Sequence, residues 1–302
     1  MYDVKQIHRA LSWNFTRGAR EANATSEKVS SILMSVPSVL RGLSLFVTGS
    51  PRTLLRVLCI AAFDTLYALR HSKRLPLARL RILAALLDFG ACANAALDNK
   101  GYSRVEFRAA REILEGAGLR SWVREFLRRL QALEARRPSP VAGACQFQRV
   151  ASYREAVVRL ALGTVAATAM GSRCIDEGIR ATYYDEDLAI LFRIVMQCQI
   201  IDDVLDYSTD LEAGLPSFLT GSASLPLAMK LAQLASSNYA EGPDWSARGR
   251  PSVGFVARSG VRAIARDGTT TNGGGVFSLR IALSLVSACA KLVLRLSRWR
   301  LA

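Results

Sequence analysis

The chain has 302 residues, half of them apolar, enough to bury the core of one large or two ordinary domains. Its six cysteines are scattered without a Cys-x-x-Cys pair and its two histidines are His8 and His71, which argues against a disulfide framework, a zinc site or a histidine-based catalytic centre, and for free thiols in a reducing cytoplasm. The net charge of +15 admits nucleic acid, an anionic membrane or a polyanionic small substrate, but the basic residues sit singly on helices without interleaved stacking aromatics, so nucleic acid is not expected as a partner.

Met1 to His8 lacks an apolar run preceded by positive charge, so no signal peptide is expected. The periodicity that follows is helical throughout, without strand-like alternation or an internal repeat, and predicts an all-α chain. Helices are expected at 27–36, 38–48, 52–71, 76–98, 103–115, 119–136, 150–173, 185–210, 223–237 and 276–299. Asp64 interrupts the apolar run Leu58 to Tyr67, either as a satisfied core carboxylate or as part of a metal or phosphate site. The clearest amphipathic helix carries Leu119, Trp122, Val123, Phe126, Leu127, Leu130 and Leu133 on one face and arginines on the other. Pro138 and Pro140 then break the chain at a turn.

Beyond Ser237 the pattern collapses into Gly, Ser, Arg, Thr and Asn as far as Gly275, a composition that cannot bury enough apolar surface to offset the entropy of ordering it. Val276 to Leu301 is apolar again but carries Arg280, Lys291, Arg295, Arg298 and Arg300. Its longest uncharged run, Ile281 to Ala290, is ten residues, short of the ~20 that span a bilayer. A basic amphipathic helix lying on a membrane surface and a helix packed on the bundle both remain open. The expected division is a helical domain at 1–236, an irregular segment at 237–275 and a basic amphipathic helix at 276–302.

Gln197 to Asp210, Q-C-Q-I-I-D-D-V-L-D-Y-S-T-D, is the most informative stretch. On a helix with Gln199 at zero, Asp203 falls near roughly 40°, Asp206 near −20°, Asp210 near 20° and Asp202 near −60°, so one face carries an amide and four carboxylates. The other faces carry Ile190, Phe192, Ile194, Val195, Met196, Ile200, Ile201, Val204 and Leu205, which predicts a buried helix. Buried carboxylates need positive partners. No Lys or Arg lies between Arg193 and Asp210, so the local sequence supplies none. Mg²⁺, which prefers hard oxygen ligands and bridges carboxylates to substrate phosphates, could supply the charge. A solvated acidic face is the alternative.

Gln199-Ile-Ile-Asp202-Asp203-Val-Leu-Asp206-Tyr207 resembles the second aspartate-rich motif of the trans-prenyl diphosphate synthases, within the class I isoprenoid synthase superfamily. Gly214-Leu-Pro216-Ser-Phe-Leu-Thr-Gly221 and Ser224-Leu225-Pro226 resemble the family's Gly-Lys-Pro segment and the Thr-Leu-Pro that opens its next helix. With the small-residue helix Val157 to Ser172, the resemblance covers roughly 155–230. It implies a single helical bundle of the isoprenoid synthase type around a central cavity, with an irregular C-terminal region here. It also implies an allylic prenyl diphosphate substrate and Mg²⁺ held by Asp202, Asp203 and Asp206, the residues expected to drive ionisation of the allylic C–O bond. Gln199 would orient an acid or a metal-bound water, and Asp210 would stand close to the metal.

The family's first motif has its best counterpart in Asn94-Ala95-Ala96-Leu97-Asp98, where Asn94 and Asp98 share a helix face as further metal ligands. Two of the three expected carboxylates are absent. Lys73 and Arg74, in Lys73-Arg74-Leu-Pro76, and Arg104 are implied as diphosphate-binding cations, with Arg108, Arg159, Arg173, Arg180 and Arg193 as further candidates. Leu215 and Ser222 stand where the family has lysines. Three activities compete: a Mg²⁺-dependent prenyl transferase; a terpene cyclase or a head-to-head squalene- or phytoene-type synthase; and a catalytically inactive binding subunit. A cytoplasmic location, peripheral membrane contact through the C-terminal helix and a homodimer complete the expectation.

Overall fold

A computed structural model of the chain describes residues 38, 40–41, 51–98, 101–139, 144–172, 174–241 and 274–301. Along them run α1 (Pro51–His71), α2 (Leu77–Leu97), α3 (Arg104–Gly116), α4 (Arg120–Glu134), α5 (Ala144–Met170), α6 (Ile175–Tyr184), α7 (Glu186–Leu205), α8 (Tyr207–Glu212), α9 (Leu225–Glu241) and α10 (Gly274–Leu301). No strand occurs among the described residues, and the protein is all-α. The two helices expected at 27–36 and 38–48 lie outside the described residues except for Ser38, Leu40 and Arg41, which are helical, as does most of the irregular segment, 242–273.

The chain forms two compact units. One comprises Met1–Pro76 with Asn272–Ser278, the other Leu77–Thr271 with Leu279–Ala302. In the first, α1 buries Val57, Ile60, Phe63 and Leu66 on one side. Asp64 shares that interior and is fully buried. Its carboxylate accepts from Ser38 Oγ at 2.8 Å, Arg41 Nη1 at 2.8 Å, Arg74 Nη1 at 3.0 Å and the Leu75 N–H at 3.0 Å. Asp64 is thus a satisfied core carboxylate. Arg74, expected to meet a substrate phosphate, is instead its counter-charge, and Lys73 is exposed.

In the second unit α2 and α5 lie antiparallel, with Arg79 near the start of α2 donating to the Ala169 carbonyl near the end of α5 at 3.1 Å. Arg120–Glu134 forms with Val123, Phe126 and Leu130 buried, as its amphipathic spacing predicts. At α3, Ser103 caps the helix by accepting from the Glu106 N–H at 3.2 Å, and Glu106 places a negative charge in the first turn. Helix α6 has no counterpart among the expected elements. Its sequence, IDEGIRATYY, is short and rich in β-branched and aromatic residues, so local propensity is weak. Tertiary packing holds it: Gly178 crosses Gly163 of α5 so closely that a Cβ at Gly178 would lie 1.9 Å from the Gly163 carbonyl oxygen.

Helix α7 runs through the interior with Leu188, Ile190, Leu191, Phe192, Met196, Ile200 and Val204 buried. Its N-terminus is capped by Asp185, which accepts from the Leu188 N–H at 3.1 Å. Gln197, wholly buried, binds α7 to α9 and α10. Its Nε2 donates to the Ser236 carbonyl at 2.7 Å and to Ser287 Oγ at 3.0 Å, and its Oε1 accepts from Ser236 Oγ at 2.8 Å. Arg193 donates to the carbonyls of Tyr239 and Ala240 at 2.6 and 2.5 Å, closing the last turn of α9 where the helix dipole is negative.

Candidate functional site

The helix expected to run unbroken over 185–210 stops at Leu205. Asp206 is the hinge, with φ −95° and ψ 11°, and α8 restarts at Tyr207. The run Asp206-Tyr-Ser-Thr consists of poor helix formers, two of which compete for the backbone through their hydroxyls. The break redistributes the acids that a continuous helix would align. Asp210, carried on α8, turns inward and is buried, whereas Asp206 and Asp202 are exposed at the residue level.

A polar hollow of about 100 Å³ opens beside this hinge. Asn94 of α2 and Asp98 just past its end, Tyr153 and Arg154 of α5, Gln199 and Asp202 of α7, and Asp210 of α8 supply its polar wall, with Leu215 and Pro216 beyond. The first-motif counterpart and three members of the second motif region therefore do meet at one place. Asp206 does not take part; it faces outward at the hinge.

Asp203 lies behind the wall, buried to 1% exposure. One of its oxygens accepts from Arg154 Nη2 at 2.8 Å and the other from the Phe218 N–H at 2.6 Å. The counter-charge that the local sequence lacks, and that Mg²⁺ could supply, comes for Asp203 from a protein cation on another helix. Burial, opposed by the Arg154 guanidinium and the Phe218 N–H, pushes the Asp203 carboxyl up to about 7. Arg154 is legible in the sequence after the fact. Phe147, Ala151, Val158, Leu162, Val165 and Ala169 of α5 are all buried, and Arg154 occupies the missing place in their four-three spacing. A charge in an apolar register is the signal.

Asp98 is likewise held by protein groups. It accepts from Arg137 Nη1 at 2.8 Å and from Asn94 Nδ2 at 3.0 Å. Arg137 also donates to Glu134 at 3.1 Å, and Glu134 accepts from the Tyr153 hydroxyl. Asn94 thus serves Asp98 as a donor. Among the described residues, no group of three or more His, Cys, Asp or Glu side chains gathers closely enough to hold a metal ion. The ligand set Asp202, Asp203, Asp206, Asp98, Asn94 and Asp210 implied by the resemblance is therefore split. Asp98 and Asp203 are paired with arginines, Asp206 turns away, and Mg²⁺ does not fit these acids as an ion held by the protein alone.

The other candidate cations are elsewhere. Arg104 and Arg108 are exposed on α3, Arg180 is exposed on α6, and Arg173 lies outside the described residues. Arg159 is sandwiched between the rings of Tyr183 and Phe192 at 3.8 and 3.6 Å, and donates to the Thr182 carbonyl and hydroxyl at 3.0 Å.

A second hollow, apolar and about 90 Å³, is lined by Leu86, Leu87, Phe89, Gly90 and Ala91 of α2, Val123 and Phe126 of α4, and Ala161, Thr164 and Val165 of α5. It shares α2 and α5 with the polar hollow. Because these helices are antiparallel, Gly90 lies one turn before Asn94 while Ala161 lies one turn after Val157. The two hollows are therefore successive along one interhelical seam, their nearest lining residues one helical turn apart and their centres offset by about two turns, ~11–13 Å. No family model, curated protein or solved structure matches the chain.

Proposed function

We propose that the chain is an isoprenoid synthase-type bundle that takes an allylic prenyl diphosphate, its head in the polar hollow and its hydrocarbon along the α2–α5 seam. The observation that carries this reading is the succession of the two hollows: a charged pocket at Asn94, Asp98, Gln199, Asp202 and Asp210, followed one turn on by an apolar one at Gly90 and Ala161. An amphiphile with a compact anionic head and an apolar tail matches that order. The carboxylates lining the hollow, Asp98, Asp202 and Asp210, outnumber its lining cation Arg154 and would repel a bare diphosphate, so the substrate is its magnesium complex, whose cations arrive with it.

The activity assigned first is prenyl transfer. Loss of diphosphate leaves an allylic carbocation; the double bond of a second isoprenoid captures it, and the new cation loses a proton to the departed diphosphate to restore a double bond. In terpene cyclisation an internal double bond is the captor instead. The apolar seam would keep water from the cation. The pairing of Asp98 with Arg137 and of Asp203 with Arg154 favours a second reading, a subunit that binds the prenyl diphosphate without turnover.

Isothermal titration with geranylgeranyl diphosphate and Mg²⁺ tests the shared part. The whole amphiphile is expected to bind more tightly than inorganic diphosphate or geranylgeraniol, and chelation of the metal abolishes binding. Gly90→Leu, which fills the seam, reduces the prenyl diphosphate to the affinity of inorganic diphosphate, and Asp210→Asn weakens both by about tenfold. Equal binding of the three ligands, or none, contradicts the proposal. Release of diphosphate by the wild type and its loss in Asp202→Ala separate transferase from binding subunit, and product analysis separates transfer from cyclisation.

A further inference from the structure

The C-terminal helix α10 has two apolar faces, and the bundle accounts for one of them. Leu279, Leu283, Ser287, Ala290 and Leu294 are buried, each at most 8% exposed, and Ser287 meets Gln197 as described. The far face is not polar. Ile281, Leu285, Leu292 and Leu296 are exposed by 39%, 63%, 56% and 57%. On the helical wheel these four fall within an arc of about 60°, opposite the buried set. The exposed cation Arg295 lies about 40° from the stripe's edge and Lys291 about 80° from it on the same side, and Arg280, further round, pairs with Glu186 at 2.8 Å. Gly274–Leu301 contains no Asp or Glu at all.

We propose that this outer face of α10 docks on an anionic bilayer surface. The helix lies in the plane of the membrane with Ile281, Leu285, Leu292 and Leu296 at the boundary between headgroups and acyl chains, and Lys291 and Arg295 against lipid phosphates. The stripe extends about 22 Å along the helix, parallel to the surface. Charge selects the occupant. A second copy of α10 would bring an acid-free, cationic helix against itself, whereas anionic headgroups complement it. Its uncharged run is too short to cross the membrane, so docking is peripheral.

Co-sedimentation of the full chain with vesicles tests it. The chain is expected to bind phosphatidylcholine vesicles containing about a third phosphatidylglycerol, to bind pure phosphatidylcholine much less, and to be released by salt. Leu285→Glu with Leu292→Glu lowers partitioning by at least about tenfold. Lys291→Ala and Arg295→Ala lower it by roughly fivefold each. All four positions are exposed, so far-UV circular dichroism should not change. Absence of vesicle binding, or equal and salt-insensitive binding to both vesicles, overturns the proposal. So does a self-associating wild type that ignores vesicles and becomes monomeric in the Leu285→Glu, Leu292→Glu variant, since the stripe is then an interface between copies.

Discussion

Arg154→Met is expected to lose about 3–5 kcal/mol of unfolding free energy at about pH 8, the cost of breaking a buried ion pair from one side. The variant leaves Asp203 with the Phe218 N–H as its remaining described donor in a fully enclosed place. The size of the loss depends on pH with a definite sign. Burial already holds the Asp203 carboxyl up near about 7 in the folded state, above its unfolded value, and removing the arginine raises it further. A carboxyl raised in this way contributes stability at acid pH that is lost as pH rises through the folded value. At about pH 5 the folded carboxyl is neutral and has little need of a cation, so the difference between variant and wild type should be smaller there by about 1–1.5 kcal/mol, the most that one carboxyl with a folded value of about 7 can add by about pH 8. Adding Asp203→Asn should restore the part of the loss that appears at the higher pH. Urea denaturation of the wild type, the Arg154→Met and Asp203→Asn variants and the double variant at both pH values measures this. A loss equal at the two pH values, or under about 1 kcal/mol throughout, would show that Arg154 is not the counter-charge of the buried acid.

Gly178→Ala should destabilise the second unit by about 3 kcal/mol or more, above the usual range for one added methyl group. The reason is that the obstruction is backbone. The new Cβ would lie 1.9 Å from the Gly163 carbonyl oxygen and 2.7 Å from the Ala167 Cβ, and neither can turn aside as a flexible side chain would. Helices α5 and α6 have to part. Helix α5 also carries Tyr153, Arg154 and Val157, so the polar hollow should deform with it and ligand binding should weaken together with stability. Gly116→Ala provides the control: nothing lies within 4 Å of its Cβ, and the gain in helix propensity should leave stability unchanged or raised by up to about 1 kcal/mol. A Gly178→Ala protein that melts with the wild type would mean that the α5–α6 crossing is looser than described.

The long periodic helices were legible because their cause is local. Arg120–Glu134 and Arg104–Gly116 follow from amphipathic spacing and, for the latter, a Ser103–Glu106 cap written in neighbouring residues. Helix α6 was not legible, because two glycines fifteen residues apart in sequence create the packing that holds it. The acidic stretch was legible in kind but not in arrangement. A wheel drawn from Gln199 to Asp210 assumes one axis, and the hinge at Asp206 changes that axis, so Asp210 joins Gln199 and Asp202 at the hollow while Asp206 leaves. Its premise of unmatched charge was also local. Asp203 finds Arg154 forty-nine residues away, and Asp98 finds Arg137 thirty-nine residues away. Arg74 illustrates the converse: a motif-like position whose side chain is required by Asp64 in the core.

The most direct test of the account is a crystal structure of the chain with a non-cleavable prenyl thiodiphosphate and Mg²⁺. The diphosphate is expected between Asn94 and Asp98 on one side and Gln199, Asp202 and Asp210 on the other, with the hydrocarbon leaving along Gly90 and Ala161 between α2 and α5. A ligand seated elsewhere on the bundle, with the 94–98 and 199–210 walls untouched, would contradict it.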